Sequence, residues 1–139
     1  MITAVTPYLT FNGNCEEALN FYVKALNAEI MMISRGKDSP PEYQQKGSEN
    51  KVMHAALKVG GGSILASDSF GSRVQEGQNF SITLNFESEN ELNEAWEKLG
   101  EGGTVTMPLE NAFWGARFGM MRDRFGINWM FNGEMKQKA

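Results

Sequence analysis

Between Val5 and Phe11 apolar and polar residues alternate, with Leu9 and Phe11 interleaved with Tyr8 and Thr10. A period of two predicts a strand with one buried face. The period then changes: Ala18, Phe21, Tyr22 and Ala25 recur at helical spacing and predict one apolar helix stripe. Asn14 and Glu17 stand at capping-box spacing at its start. Asn27 suits the left-handed backbone that ends a helix. AEIMMIS, residues 28–34, predicts the next strand. Residues 35–51 are polar, carry adjacent prolines and predict a long loop, either a lid or a disordered segment. VMHAALKV, a glycine triplet at 60–62 and SILASD then predict a β-hairpin. The triplet reads as a turn rather than a phosphate cradle, because no helical pattern follows it.

The second half repeats this order. After the linker SFGSRVQEGQN, Phe80, Ile82, Leu84 and Phe86 alternate with Ser81, Thr83 and Asn85. Ser88 and Glu91 form another capping-box spacing, and Leu92, Ala95, Trp96 and Leu99 another helical stripe. Gly100, Gly102 and Gly103 stop that helix, TVTMPL predicts a short strand, and residues 111–131 supply two more strands joined at Asp123–Gly126. The order is β-α-β-β-β twice; setting Phe11 on Phe86 also sets Phe21 on Trp96. The expected class is α+β: tandem βαβββ modules, about 3–68 and 79–132, forming curved mixed sheets with a cavity in one domain over 1–139. A helix covers one face of each sheet, and the other face needs a partner that the second half can help provide.

Composition narrows the function classes. A formal charge of −4 with scattered basic residues argues against nucleic-acid or membrane-surface partners. No apolar run reaches the roughly 18 residues of a bilayer span. The N-terminus lacks the basic and apolar regions of a signal peptide, and a single cysteine fits a reducing compartment, so a cytoplasmic location is expected. One cysteine and one histidine cannot build a Cys/His zinc site within one chain. Cys15 falls in the first turn of the predicted helix, where the dipole can lower a thiol pKa. With no base near it in sequence, it reads as a packing residue.

Three stretches, PYLTFNGNCEEALNFY, MHAALKVGGGSILASD and FWGARFGMMRDRFGINWMF, are spread from residue 7 to residue 131 of the chain. In them the chain resembles the PhnB-like branch of the vicinal oxygen chelate superfamily, which includes glyoxalase I, bleomycin-resistance proteins and extradiol dioxygenases. The resemblance implies a cytoplasmic homodimer with a cavity enclosed by each curved sheet. Enzymes of that superfamily typically hold a divalent ion with His, Gln or Glu from the first and last strands of each half. The matching positions here are Thr6 or Pro7, the neighbourhood of Ala66, Ser81 and Met130. None offers a carboxylate or imidazole donor, so no metal is expected at the usual site, and no cofactor. The branch often carries the label "3-demethylubiquinone-9 3-methyltransferase". This chain lacks the glycine-rich strand-to-helix loop, with an acidic residue further on, that grips an adenosyl cofactor. Methyl transfer is therefore not expected.

Alternation sorts the candidate site residues. Leu9, Phe11, Ile82, Leu84 and Phe86 should pack under the helices, leaving Tyr8, Thr10, Ser81, Thr83 and Asn85 on the other side. Small polar residues in a row suit a ligand wall, or simply a wetted face. On the last hairpin Ile127, Trp129 and Phe131 share one face, and Asn128 and Met130 the other. His54 and Asp68 are expected to converge, on a ligand or as a displaced metal pair; alternatively His54 satisfies a backbone carbonyl or a carboxylate. Counted back from the hairpin turns, Arg117 takes roughly the place of His54 in the second half. It would clamp a carboxylate or phosphonate-like anion, or else pair with Glu110. Trp114 would stack on a ligand or close the dimer interface. Arg122, Asp123 and Arg124 read as a solvated charge cluster. The expected function is metal-free binding of a small molecule through Tyr8, Thr10, His54, Asp68, Ser81, Thr83, Asn85, Trp114, Arg117 and Met130. The alternative is a metal-independent or displaced-metal enzyme, of lyase, isomerase or dioxygenase type, using Arg117, His54, Asp68 or Tyr8 on a small oxygenated substrate.

Overall fold

A computed structural model describes residues 1–134 of the chain; the last stretch of the expected 1–139 domain, residues 135–139, lies outside the described residues. The chain divides into two compact units, Met1–Gln75 and Glu76–Ala139.

In the first unit, β1 (Tyr8–Phe11) leads into α1 (Cys15–Leu26), β2 (Glu29–Arg35), β3 (Val52–Val59) and β4 (Gly62–Asp68). The sheet order is β1-β4-β3-β2, with β1 parallel to β4 and the other pairs antiparallel. Leu9, Phe11, Ala55, Leu57, Ile64 and Ala66 are buried with Ala18, Leu19 and Tyr22 of α1, the sheet-on-helix core that alternation predicts. The first strand is shorter than its pattern: Val5 is exposed, and Pro7 has no N–H with which to extend the ladder. Asn27 ends α1 in the left-handed region, at φ 52°.

The predicted capping box at Asn14 does not form. Asn14 is the N-cap residue, but its side chain makes no capping hydrogen bond. The first helical amide, Cys15 N, donates instead to Asp68 Oδ1 at 2.9 Å, from the end of β4. A charged acceptor anchored in the sheet thus serves the first helical amide, one that a capping box does not engage. The loop of residues 36–51 is also not structureless. It contains two 3₁₀ turns, Gly36–Asp38 and Pro41–Tyr43. Gly36 N donates to Lys51 O at 2.9 Å and Lys37 N to Glu49 O at 3.0 Å. Gly36 is required there, since a Cβ would collide with the Ser48 carbonyl.

In the second unit, β5 (Ile82–Phe86), α2 (Glu89–Leu99), β6 (Thr104–Asn111), β7 (Ala116–Arg122) and β8 (Asn128–Glu134) repeat the plan. The order is β5-β8-β7-β6, with β5 parallel to β8. Ser88 Oγ accepts from Glu91 N at 3.2 Å, the capping bond its spacing predicts. Leu92, Ala95 and Leu99 of α2 are buried with Met121, Trp129 and Phe131. Two strand glycines let α2 approach. A Cβ on Gly119 would stand 2.9 Å from the Trp96 ring, and one on Gly133 would stand 2.6 Å from Leu92 Cδ1. Trp96 also meets Phe131 edge-on at 5.1 Å. Among the described residues each unit therefore has one sheet side packed by its own helix and a second face that bears no helix of that unit. No helix among the described residues is long and apolar enough to cross a membrane.

Candidate functional site

Period two in the strands decides which side chains reach each helix-free face. In the first unit Leu9 and Phe11 point toward α1, so Tyr8 and Thr10 point away. Tyr8 is about half exposed, and its ring stacks on His54 with centroids 6.0 Å apart and planes 29° apart. His54 lies opposite Ser34, and Thr10 opposite Ser67. This face thus brings together a phenol, an imidazole and three hydroxyls.

In the second unit the register lines up Thr83, Met130, Met120 and Met107 across four adjacent strands. The next row is Asn85, Asn132, Phe118 and Glu110. Thr83 Oγ1 donates to Met130 Sδ at 3.6 Å, and Asn132 Nδ2 to Asn85 Oδ1 at 3.1 Å. Trp114 is 58% exposed and meets Phe118 at 6.0 Å and Phe113 at 5.1 Å. Ser81 directly precedes β5 and is half-buried. Thr83, Asn85 and Met130 thus stand together as the alternation predicts. Phe118, Met120 and Met107 are the members that sequence reasoning missed. Extending the alternation of the last hairpin one strand further, from Met130 to its partner, would have found Met120 and Phe118.

Two expected site residues lie on the opposite side of their sheets. Asp68 is opposite Phe11 and 4% exposed, facing α1 rather than His54. Its Oδ1 accepts Cys15 N and its Oδ2 accepts Val52 N at 2.8 Å. Both carboxylate oxygens therefore hold buried backbone amides, which is why they do not converge with His54. Arg117 lies opposite Gly133, on the α2 side. Its Nε donates to Asn93 Oδ1 at 2.9 Å and its Nη1 to Asn111 Oδ1 at 3.1 Å. Glu110 is not its partner, since that residue pairs with Phe118 in register on the other face. The true counterpart of His54 is Phe118: Leu84, Phe131 and Gly119 line up as Leu9, Ala66 and Ala55 do. A miscount of one residue exchanges the faces.

Asp123 also departs from expectation. It is 3% exposed, accepts Phe125 N and Ile127 N on Oδ1 and Trp129 Nε1 on Oδ2, and so anchors the hairpin turn. Arg122 pairs with Glu76. The Cys15 thiol is fully buried and pushed up to about 12, first by burial and then by the Asp68 and Glu16 carboxylates. Burial outweighs the helix dipole here, and the residue fills core space.

The donor set does not suit a divalent ion at the usual positions. Ala66 is buried on the helix side, Thr6 and Pro7 precede β1, and Ser81 and Met130 offer only a hydroxyl and a thioether. Among the described residues no three His, Cys, Asp or Glu side chains converge. An adenosyl cofactor finds no grip either. The β1–α1 connection is only Asn12-Gly13-Asn14, and Asp68 already occupies the first helical amide.

Comparison with known proteins agrees with this architecture. A family model described as 3-demethylubiquinone-9 3-methyltransferase matches residues 3–131. Protein YjdN of Escherichia coli is 30% identical, over 92% of this chain and 93% of its own length. The crystal structure of protein PA1353 from Pseudomonas aeruginosa has 39% identity and a TM-score of 0.87, covering 97% of this chain and all of that one. A PhnB protein from Bacillus cereus has 29% identity and a TM-score of 0.78, covering 94% and 99%. A glyoxalase/bleomycin resistance protein/dioxygenase domain from Frankia shares the fold alone, at 14% identity and a TM-score of 0.70. The chain therefore belongs to the family described as 3-demethylubiquinone-9 3-methyltransferase, with a PhnB protein among its structural relatives and the fold of a glyoxalase/bleomycin resistance protein/dioxygenase domain.

Proposed function

We propose that the chain is a small-molecule-binding protein that takes its ligand on the helix-free sheet faces without a metal at the superfamily's usual positions. One observation carries the reading. Three thioethers, Met107, Met120 and Met130, lie in register with Thr83 and beside Phe118, Asn85 and Asn132. Thioethers are polarisable and conform to irregular apolar surfaces, and adjacent amides supply orientation. Such a face fits a planar, mostly apolar molecule with a few hydrogen-bonding groups. The phenol and imidazole of Tyr8 and His54 offer a second, more polar wall. Asp68 and Arg117 are excluded from these walls by their position. The methyl transfer in the family description finds no support in the cofactor chemistry of this chain. In this proposal the two units are modules of one domain, and the protein is a cytoplasmic homodimer.

The test is a thermal-stabilisation screen of amphipathic metabolites on protein dialysed against a chelator. A ligand at 100 times its dissociation constant adds about 2.7 kcal/mol of stability. Met120→Ala and Phe118→Ala are expected to weaken a hit at least ~10-fold, since each removes buried ligand contact. Stabilisation that needs an added divalent ion would overturn the reading. A second reading, a metal-independent enzyme, is favoured by the stacked Tyr8–His54 pair. It prevails if a hit is turned over by the native chain and His54→Ala keeps affinity but loses turnover.

A further inference from the structure

The helix side of the second unit holds a hollow of about 350 Å³, across the sheet from the methionine row. Trp96 of α2 and Val105, Pro108 and Leu109 of β6 form its apolar lining. Arg117, Asn93 and Glu97 supply its polar groups. The size is at the lower end for small-molecule sites, suited to a metabolite.

Two features make the hollow chemically selective. The Arg117 guanidinium is held by two neutral amide oxygens, through Nε to Asn93 and Nη1 to Asn111. Those bonds fix the plane of the fork and leave one Nη1 and both Nη2 hydrogens free of them. Among the described residues neither Arg117 nor Glu97 forms an ion pair. Glu97 follows Asn93 by four residues on α2, so its backbone stands a little over one helical turn, ~6 Å along the axis, from the residue that holds the cation. A cation and a carboxylate that line one hollow together with an indole and aliphatic groups complement a zwitterion with an apolar substituent. Gly119 keeps this lining in place, since any side chain there would displace Trp96 and Leu109 together.

We infer that this hollow is a binding site for a free α-amino acid with an apolar side chain, its carboxylate on Arg117 and its ammonium on Glu97. It is independent of the ligand proposed for the methionine face, and neither occupant needs the other.

The experiment is calorimetry on the full chain with L-phenylalanine and L-leucine, and with two analogues that each lack one charge, 3-phenylpropanoate and phenethylamine. Indole N–H resonances are followed in parallel by ¹H–¹⁵N NMR. The amino acids are expected to bind and to move the Trp96 indole signal while leaving that of Trp129 in place. Each analogue is expected to bind at least ~10-fold more weakly, the scale of one charge-assisted hydrogen bond. Glu97→Gln should cost the amino acids a similar factor and leave 3-phenylpropanoate unaffected. Arg117→Met should abolish binding of both. Glu97→Gln alters an exposed helix position, so it remains informative even if Arg117→Met unfolds. No heat and no shift at millimolar amino acid, or equal affinity for either analogue, overturns the inference. So does an amino-acid affinity unchanged in Glu97→Gln.

Discussion

Replacing Asp68 by alanine removes the acceptor of two buried amides at once. Cys15 N and Val52 N lie 2.9 and 2.8 Å from its two oxygens, and the residue is 4% exposed. A buried donor left without a partner costs about 1–3 kcal/mol, so two cost roughly 2–6 kcal/mol. Water entering the vacated space would return part of this, and loss of the carboxylate at the start of α1 adds some tenths. We expect a net loss of about 3 kcal/mol. In a chain of this length that lowers the melting temperature by roughly 10 °C. Asp68→Asn keeps one oxygen and should lose about half as much. Urea titration followed by circular dichroism measures both, and the order native, Asn, Ala is required. A loss below about 0.5 kcal/mol for Asp68→Ala would refute the anchoring role. A marked fall in ligand affinity at unchanged stability would return the carboxylate to the binding site.

Gly119→Val should destabilise by about 1–3 kcal/mol through overpacking against Trp96 and Leu109, with altered near-ultraviolet dichroism of the indole; native-like stability would contradict the close approach of α2. The Cys15 pKa is raised from 9.0 to about 12 in the folded chain, so the folded state holds this proton more tightly than the unfolded chain. Its contribution is complete below pH 9 and declines as pH rises toward 12. Cys15→Ala should flatten that alkaline decline, and iodoacetamide should modify the native thiol only as fast as the chain opens. Glu16 has its pKa lowered, chiefly by its hydrogen bond to Arg35. Its contribution is present above the ordinary carboxylate range and is lost as pH falls through the lowered value. An NMR titration should therefore give Glu16 a higher midpoint in Arg35→Ala than in the native chain.

Strand and helix periods made most of the fold legible. The pairs Leu9/Phe11 and Ile82/Leu84, the stripes from Ala18 and Leu92, and the hairpin turns can all be read from local patterns, because each element must bury one face. The strand face of a candidate residue was legible wherever alternation continued from a secure strand, as at Tyr8, Thr83, Asn85 and Met130. It failed where a face was inferred by counting back from a turn or across a strand end. Asp68 and Arg117 went to the wrong side by one residue, and two register shifts between β6 and β7 show how easily that count slips. At the start of α1 the Asn14 side chain makes no cap, and the acceptor of the first helical amide is Asp68, 53 positions away from Cys15 and invisible to any local window. Asp123 reads as a surface charge among arginines, yet it is buried because its partners are turn amides and the Trp129 indole. Of the site, the methionine row needed the strand partners as well as the strands, since Met107, Met120 and Met130 are neighbours only through pairing.

Metal dependence of binding is the most direct measurement. A ligand found by thermal stabilisation should be titrated by calorimetry into chelator-treated protein, with divalent ions then restored one at a time and amide shifts mapped. The expected result is the same affinity with and without each ion, and shifts concentrated on Thr83, Asn85, Phe118, Met120 and Met130. Binding that appears only with an ion present, or shifts confined to other parts of the chain, would contradict it.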